Sequence, residues 1–219
     1  MSQSDLTERL YKLDTCAVSD AMDALGIKGA VAGLKPLSVR KKIAGPAVTV
    51  KLGPKTEQVS SRHLGTAAIE AASPGDVIVV EHGRSDAAGW GGNLAIAAMQ
   101  RGISGVIVDG ACRDVDEMRE LGFPVYAREA VPFTARGRIE ERAFNEPIKV
   151  ADVEVRPGDL VIADGNGIAF IPRSRAEEVI AAAERIVRKE TLMAEAIRSG
   201  QPVSAVMGKN YETMLENLS

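Results

Sequence analysis

The stretch GWGGNLAIAAMQRGISGVIVDGACRDVDEMRELGFPVYAR, residues 89–128, decides the fold class. It opens on a glycine-rich loop, Gly89-Trp90-Gly91-Gly92, and turns helical in pattern from Asn93 to Arg101. Gly102 stands where such a helix would stop, because glycine enters the left-handed region at little cost. Val106-Ile107-Val108 is a continuous apolar run of the kind found in strands buried on both faces. It ends at Asp109-Gly110, and Arg113-Asp114 open a short helix over 114–121 that Gly122 stops. Phe123 to Ala127 is expected to be the next strand. Upstream, the turn Ser73-Pro74-Gly75-Asp76 leads into a second apolar run, Val77-Ile78-Val79-Val80. Strands separated by short helices are βαβ units, and they predict a parallel sheet.

Working outward, residues 5–26 have a helical pattern, with Leu6, Leu10 and Leu13 on one face. Ser19-Asp20 could cap a further turn, Ala21 to Leu25, ending at Gly26. Residues 43–52 alternate as a strand, and 59–72 are expected to be a helix. Residues 147–171 hold short strands and turns. Pro157-Gly158-Asp159 repeats the chemistry of Pro74-Gly75-Asp76, which is recurrent turn chemistry rather than an internal repeat. Residues 174–198 form a long charged helix with alanine and isoleucine on one face, suited to its own domain or to a neighbour. No low-complexity linker divides the chain. The expectation is a single α/β domain over 1–219: a central sheet, flanking helices, and a C-terminal helical extension, 172–219, that contacts a neighbouring subunit.

The composition narrows the function. Of 219 residues, 45% are hydrophobic and 26% charged, enough for a real core. A net charge of −3 argues against nucleic acid or an anionic membrane as the main partner, since both demand a basic face. The cysteines, Cys16 and Cys112, lie far apart and outside any CxxC pattern, so neither a disulfide framework nor a thiolate zinc site is expected. With only His63 and His82, one chain cannot form a three-histidine metal site. Met1 to Leu10 lacks an apolar signal core, and no apolar run reaches the roughly 18 residues needed to span a bilayer. A cytoplasmic protein is expected.

In open α/β sheets, ligands gather at the C-terminal ends of strands. One such end carries Gly91-Gly92-Asn93-Leu94 into a helix start. Free backbone N–H groups and the helix dipole favour an anion there, and glycine permits close approach; a plain tight turn would have the same composition. The other end is VIVDGACRD, 106–114. Arginine offers a planar fork to a carboxylate or oxyanion, and an adjacent aspartate can hold a hard cation that keeps most of its waters. The alternative for Arg113 and Asp114 is a helix-start ion pair. His63 and His82 could be bases but are more often loop or surface histidines. Glu81 and Asp86 flank the glycine loop as possible supports. Cys112, beside Arg113, is either a thiol of lowered pKa or a small buried residue. No Walker or dinucleotide fingerprint is present.

The 89–128 stretch, with its G-x-x-G-x-V/I-x-D-G-x-x-R-D pattern, resembles the RraA-like family, and the likeness runs from about Asp14 to Ile171. One branch of that family comprises the 4-hydroxy-4-methyl-2-oxoglutarate and 4-carboxy-4-hydroxy-2-oxoadipate aldolases, which also decarboxylate oxaloacetate. The other is a protein regulator of ribonuclease activity. The resemblance implies a swivelling β/β/α-type domain. It implies substrate binding by the Gly91-Gly92-Asn93-Leu94 amides and by Arg113 at the keto oxygen, and a divalent cation (Mg²⁺ or Mn²⁺) on Asp114. It further implies a tail glutamate, best matched by Glu190, that reaches a neighbouring site in a homotrimer or homohexamer. An acidic residue of the early helix is matched by Asp20. The expected substrate is a small oxo acid. Where many members have Gly-Asp-Leu-Leu, this chain has Gly91-Gly92-Asn93-Leu94, so the acidic side chain is missing and Asn93, being uncharged, does not replace it.

Overall fold

A computed structural model describes residues 3–57 and 63–208. In chain order the elements are α1 (Gln3–Tyr11), α2 (Thr15–Ala24), β1 (Ala30–Val31), β2 (Lys35–Pro36), β3 (Ile43–Pro54) and α3 (Thr66–Ala71). Then come β4 (Val77–Glu81), α4 (Gly92–Gln100), β5 (Gly105–Cys112), α5 (Val115–Glu120) and β6 (Val125–Ala130). The chain continues with β7 (Ile139–Phe144), β8 (Ile148–Val150), β9 (Val153–Val155), β10 (Leu160–Ala163), β11 (Ile168–Ile171), α6 (Ala176–Arg198) and α7 (Val203–Val206).

The 89–128 stretch folds as its pattern predicts: α4, β5, α5 and β6 follow in order, and Gly102 and Gly122 end the two helices at φ 73° and 68°. The strands of the βαβ units pair in parallel, as expected, and the mixed sheet extends beyond them. Only β3, β4, β5 and β6 are mutually parallel. The path runs β1-β11-β10-β3-β4-β5-β6-β2, with β7 also on β3, and the added strands are antiparallel. The tight turn at Gly165-Asn166-Gly167 joins β10 to β11, and so short a connection forces antiparallel neighbours.

Period-two alternation distributes the strands over three cores. Ile78 and Val80 of β4, with Val106 and Val108 of β5, pack under α3, α4 and α5. Val77 and Val79 face the other way and meet Ile107, Tyr126, Val161, Ile168 and Phe170 inside the curl of the sheet. The Tyr126 hydroxyl ties this curl together, donating to the Lys41 carbonyl at 2.9 Å with the Ala163 carbonyl 3.2 Å away. Leu160, Ile162, Ala169 and Ile171 carry α1, α2 and α6.

Three expectations are corrected. Residues 5–26 form two helices, because Asp14 breaks the run and caps α2, its Oδ1 accepting the Ala17 N–H at 2.8 Å; Ser19-Asp20 lie inside α2. The helix expected over 59–72 is observed as Thr66–Ala71, and 58–62 lie outside the described residues. The strand expected from Phe123 begins at Val125, after Pro124. The C-terminal helix packs its first half on its own domain through Val179, Ile180 and Ala183. No helix among the described residues is long and apolar enough to cross a membrane.

Candidate active site

β4 and β5 end side by side, so the loops that follow them meet. Two backbone bonds lock the meeting: Gly89 N–H to the Ala111 carbonyl at 2.8 Å, and Arg113 N–H to the Trp90 carbonyl at 3.0 Å. Asp114 then takes a left-handed conformation, φ 60° and ψ 38°, which aspartate tolerates better than most residues. Its side chain does not cap α5. It turns toward α4, where Oδ2 accepts the Gly92 N–H at 3.0 Å and lies 3.4 Å from Arg113 Nε. The helix-start pair that was the alternative is thus only half present: the Arg113–Asp114 contact exists, but the carboxylate serves the neighbouring helix.

The first intrahelical bond of α4 is Ala95 N–H to the Gly91 carbonyl. Gly92 N–H is taken by Asp114, while the Asn93 and Leu94 N–H groups have no protein acceptor among the described residues. A Cβ at Gly91 would lie 2.8 Å from Asp114 Oδ2 and 3.4 Å from Arg113 Nε, so the site depends on glycine for its width. These segments border a cavity of about 420 Å³, lined among others by Lys55, Trp90, Leu94, Arg136 and Glu140. That volume suits a small ligand.

The far wall came from residues to which no sequence signal pointed. Glu140, at the start of β7, accepts from Lys55 Nζ at 3.0 Å and from the Thr56 hydroxyl at 2.7 Å, and pairs with Arg142 at 2.9 Å. The Thr56 hydroxyl first, then the Lys55 ammonium, hold the Glu140 carboxyl down at about 2. Arg136 is exposed on the 134–137 loop and makes no side-chain hydrogen bond or ion pair among the described residues.

Among the described residues, no three His, Cys, Asp or Glu side chains converge as a metal-binding group. Of the two carboxylates lining the cavity, Glu140 has both oxygens engaged by Lys55, Thr56 and Arg142, whereas Asp114 Oδ1 has no protein partner among the described residues. One free carboxylate oxygen beside open space fits a hydrated hard cation, which needs only one or two protein carboxylates.

Of the other candidates, His63 is exposed and lines the cavity, its Nδ1 3.1 Å from the Leu64 carbonyl. His82 is a correction: it is 5% exposed, and its Nε2 contacts the Ala87 carbonyl at 2.7 Å. Burial lowers its pKa. Glu81 and Asp86 do not support the loop. Glu81 pairs with Lys51 at 2.9 Å and accepts the Lys149 N–H, and Asp86 pairs with Arg84. Cys112 is wholly buried, and burial first, then Asp114, pushes its thiol up to about 12, so it is a packing residue. Glu190 lies on the exposed side of α6, the helix that packs on α2. Partial desolvation, then Asp14, Asp164, Asp20 and Glu190, raise the Cys16 thiol, so Asp20 and Glu190 both act on Cys16 of α2. Neither lines the Arg113 cavity of its own chain.

The RraA-like (Aldolase/RraA) family model matches residues 15–170. Protein DlpA of Legionella pneumophila is 32% identical over 197 residues, 90% of this chain, although the chain spans only 32% of that protein's length. A protein of Halalkalibacterium halodurans named "Putative 4-hydroxy-4-methyl-2-oxoglutarate aldolase" is 32% identical over 189 residues, 84% of this chain and 86% of its own. Among solved structures, an uncharacterized protein from Pseudomonas syringae pv. tomato superposes with a TM-score of 0.85 at 29% identity, covering 95% of this chain and 98% of its own. A Streptomyces coelicolor protein, described as an unusual member of the RNase ES inhibitor RraA family, superposes with a TM-score of 0.79 at 29% identity, covering 87% and 96%. With the family model matching most of the chain, this protein belongs to the RraA-like family.

Proposed function

We propose that the protein is a divalent-metal-dependent lyase: an aldolase that cleaves a 4-hydroxy-2-oxo diacid to release pyruvate, and that also decarboxylates oxaloacetate. The observation that carries this reading is convergence. Two open amides at the start of α4, Arg113, and a carboxylate with a free oxygen border one cavity.

In both reactions the bond between C3 and C4 breaks and its electron pair stays on C3, leaving a pyruvate enolate. Aldol cleavage also passes the C4 hydroxyl proton to solvent and leaves C4 as a carbonyl, whereas decarboxylation releases CO₂; in both, C3 of the enolate then takes a proton from solvent to give pyruvate. The Asn93 and Leu94 amides, at a helix N-terminus, bind the pyruvyl carboxylate. Arg113 holds its fixed charge at the keto oxygen, where negative charge grows. Asp114 would hold Mg²⁺ or Mn²⁺, which supplies Lewis-acid stabilisation of that charge. Arg136 faces the remote carboxylate, which favours a diacid over a monoacid. Glu190, exposed on α6 and outside the cavity of its own chain, would serve a neighbouring subunit in a homotrimer or a pair of trimers.

The rival reading is a regulator of ribonuclease activity, favoured by the description of the Streptomyces relative. The test is pyruvate release from oxaloacetate and from branched hydroxy-oxo diacids, with Mg²⁺, with Mn²⁺ and with neither. Turnover that needs the metal supports the lyase. No pyruvate from any substrate, together with inhibition of an endoribonuclease by the purified protein, supports the regulator.

A further inference from the structure

Two carboxylates flank Gly92, and the reading above uses only one. Asp114 takes the Gly92 N–H at 3.0 Å. On the side where a side chain would grow, a Cβ built at Gly92 would lie 2.6 Å from Glu117 Cδ and collide with its Oε2. The Glu117 carboxylate therefore fills the volume in which a side chain at position 92 would begin. Asp114, the left-handed residue before α5, and Glu117, inside α5, both approach Gly92 of α4 with their carboxylates. Glu117 is exposed, and its side chain makes no hydrogen bond or ion pair with the described residues, its backbone carbonyl accepting the Leu121 N–H. The α4 dipole favours one anion at this end, but two like charges so close repel, and a cation between them removes the conflict.

We propose that Glu117 is a positioning residue for the hydrated cation on Asp114, acting from the place that an acidic side chain at 92 would otherwise occupy. The inference rests on the metal-dependent reading of the site. It explains how a chain with Gly92 and the uncharged Asn93 keeps a second carboxylate at this point: the acid comes from α5 instead of α4, and glycine at 92 leaves room for it.

The experiment is Mn²⁺ binding to the full chain, by calorimetry and by electron paramagnetic resonance, with thermal melting alongside. Glu117→Gln has the same length and no charge. Its Mn²⁺ affinity should fall about 10- to 100-fold, the usual cost of losing a group that orients metal ligands, with Tm nearly unchanged. Gly92→Asp paired with Glu117→Ala, which vacates the volume that a Cβ at 92 needs, should recover most of that affinity. Wild-type affinity in Glu117→Gln, or a change confined to Tm, overturns the inference and leaves Glu117 as a helix-dipole partner. A loss that Gly92→Asp fails to restore in a folded double variant overturns the claim of spatial replacement. If the wild type binds no Mn²⁺, the metal reading itself fails and takes this inference with it.

Discussion

Replacing Arg113 by lysine separates a catalytic arginine from a structural one. The backbone at 113 is held by its own N–H bond to the Trp90 carbonyl, which does not depend on the side chain. The side chain is 42% exposed, and its contact with Asp114 is a long one at 3.4 Å. An exposed pair of this kind contributes about 1 kcal/mol or less, so Arg113→Lys should fold and melt close to wild type. Its effect on turnover should be far larger. A preorganised donor at a developing oxyanion is worth about 3–4 kcal/mol, or roughly 10²–10³ in kcat, and lysine cannot reproduce the planar fork. The assay is pyruvate release at saturating oxaloacetate and Mn²⁺, with Tm measured on the same preparation. If Arg113→Lys keeps more than about a third of wild-type kcat, far above the loss expected for a missing oxyanion donor, Arg113 is structural and the assignment is wrong.

Arg136→Ala should raise KM for hydroxy-oxo diacids about 10- to 100-fold, the range of a charge-assisted hydrogen bond, while kcat and pyruvate affinity stay near wild type; an equal loss with pyruvate would contradict a remote-carboxylate role. Glu190→Gln should lower activity of the assembled protein without shifting Tm, because the side chain is exposed. This substitution is cleaner than truncation after 185, which would remove the buried Met193; full activity in Glu190→Gln removes the shared-site proposal. His82 has its pKa lowered by burial. It should therefore stay the neutral Nε2–H tautomer below pH 6.5, where an ordinary histidine titrates, as nitrogen chemical shifts would report. The unfolded chain takes up that proton and the folded chain does not, so His82 contributes stability above about pH 6.5 that is lost as the pH falls toward its folded value. A Tm that rises on acidification through this window would refute the sign.

The centre of the site was legible because its signals are local. Val106-Ile107-Val108 marks a buried strand, Gly102 and Gly122 mark the helix ends with positive φ, and Arg113-Asp114 follow the strand directly. The far wall was not legible. Lys55 and Glu140 meet only because β3 and β7 pair across an irregular register, 85 residues apart in the chain. The β7 sequence IEERAF puts three charged residues in a row and lacks a strand's apolar alternation. β1 and β2 are two residues each, too short for any periodicity. The burial of His82 is not legible in the sequence, because its partner is a backbone carbonyl that no residue type marks. The room for its ring comes from Gly110, where a Cβ would sit 2.6 Å from the imidazole. Glu117 escaped notice because its relation to Gly92 exists only once α4 and α5 are packed together.

The most direct test of the whole account is pyruvate release by Asp114→Asn beside wild type, each with Mn²⁺ and with excess chelator. Asparagine tolerates the left-handed backbone that residue 114 adopts, and it keeps an oxygen for the Gly92 N–H, so the fold and the loop contact should survive. It lacks the negative charge that a hard cation requires. The account predicts that chelator abolishes wild-type turnover, that Mn²⁺ restores it, and that folded Asp114→Asn is inactive under both conditions. Wild-type turnover that persists in chelator, or substantial Mn²⁺-dependent turnover by Asp114→Asn, would contradict it.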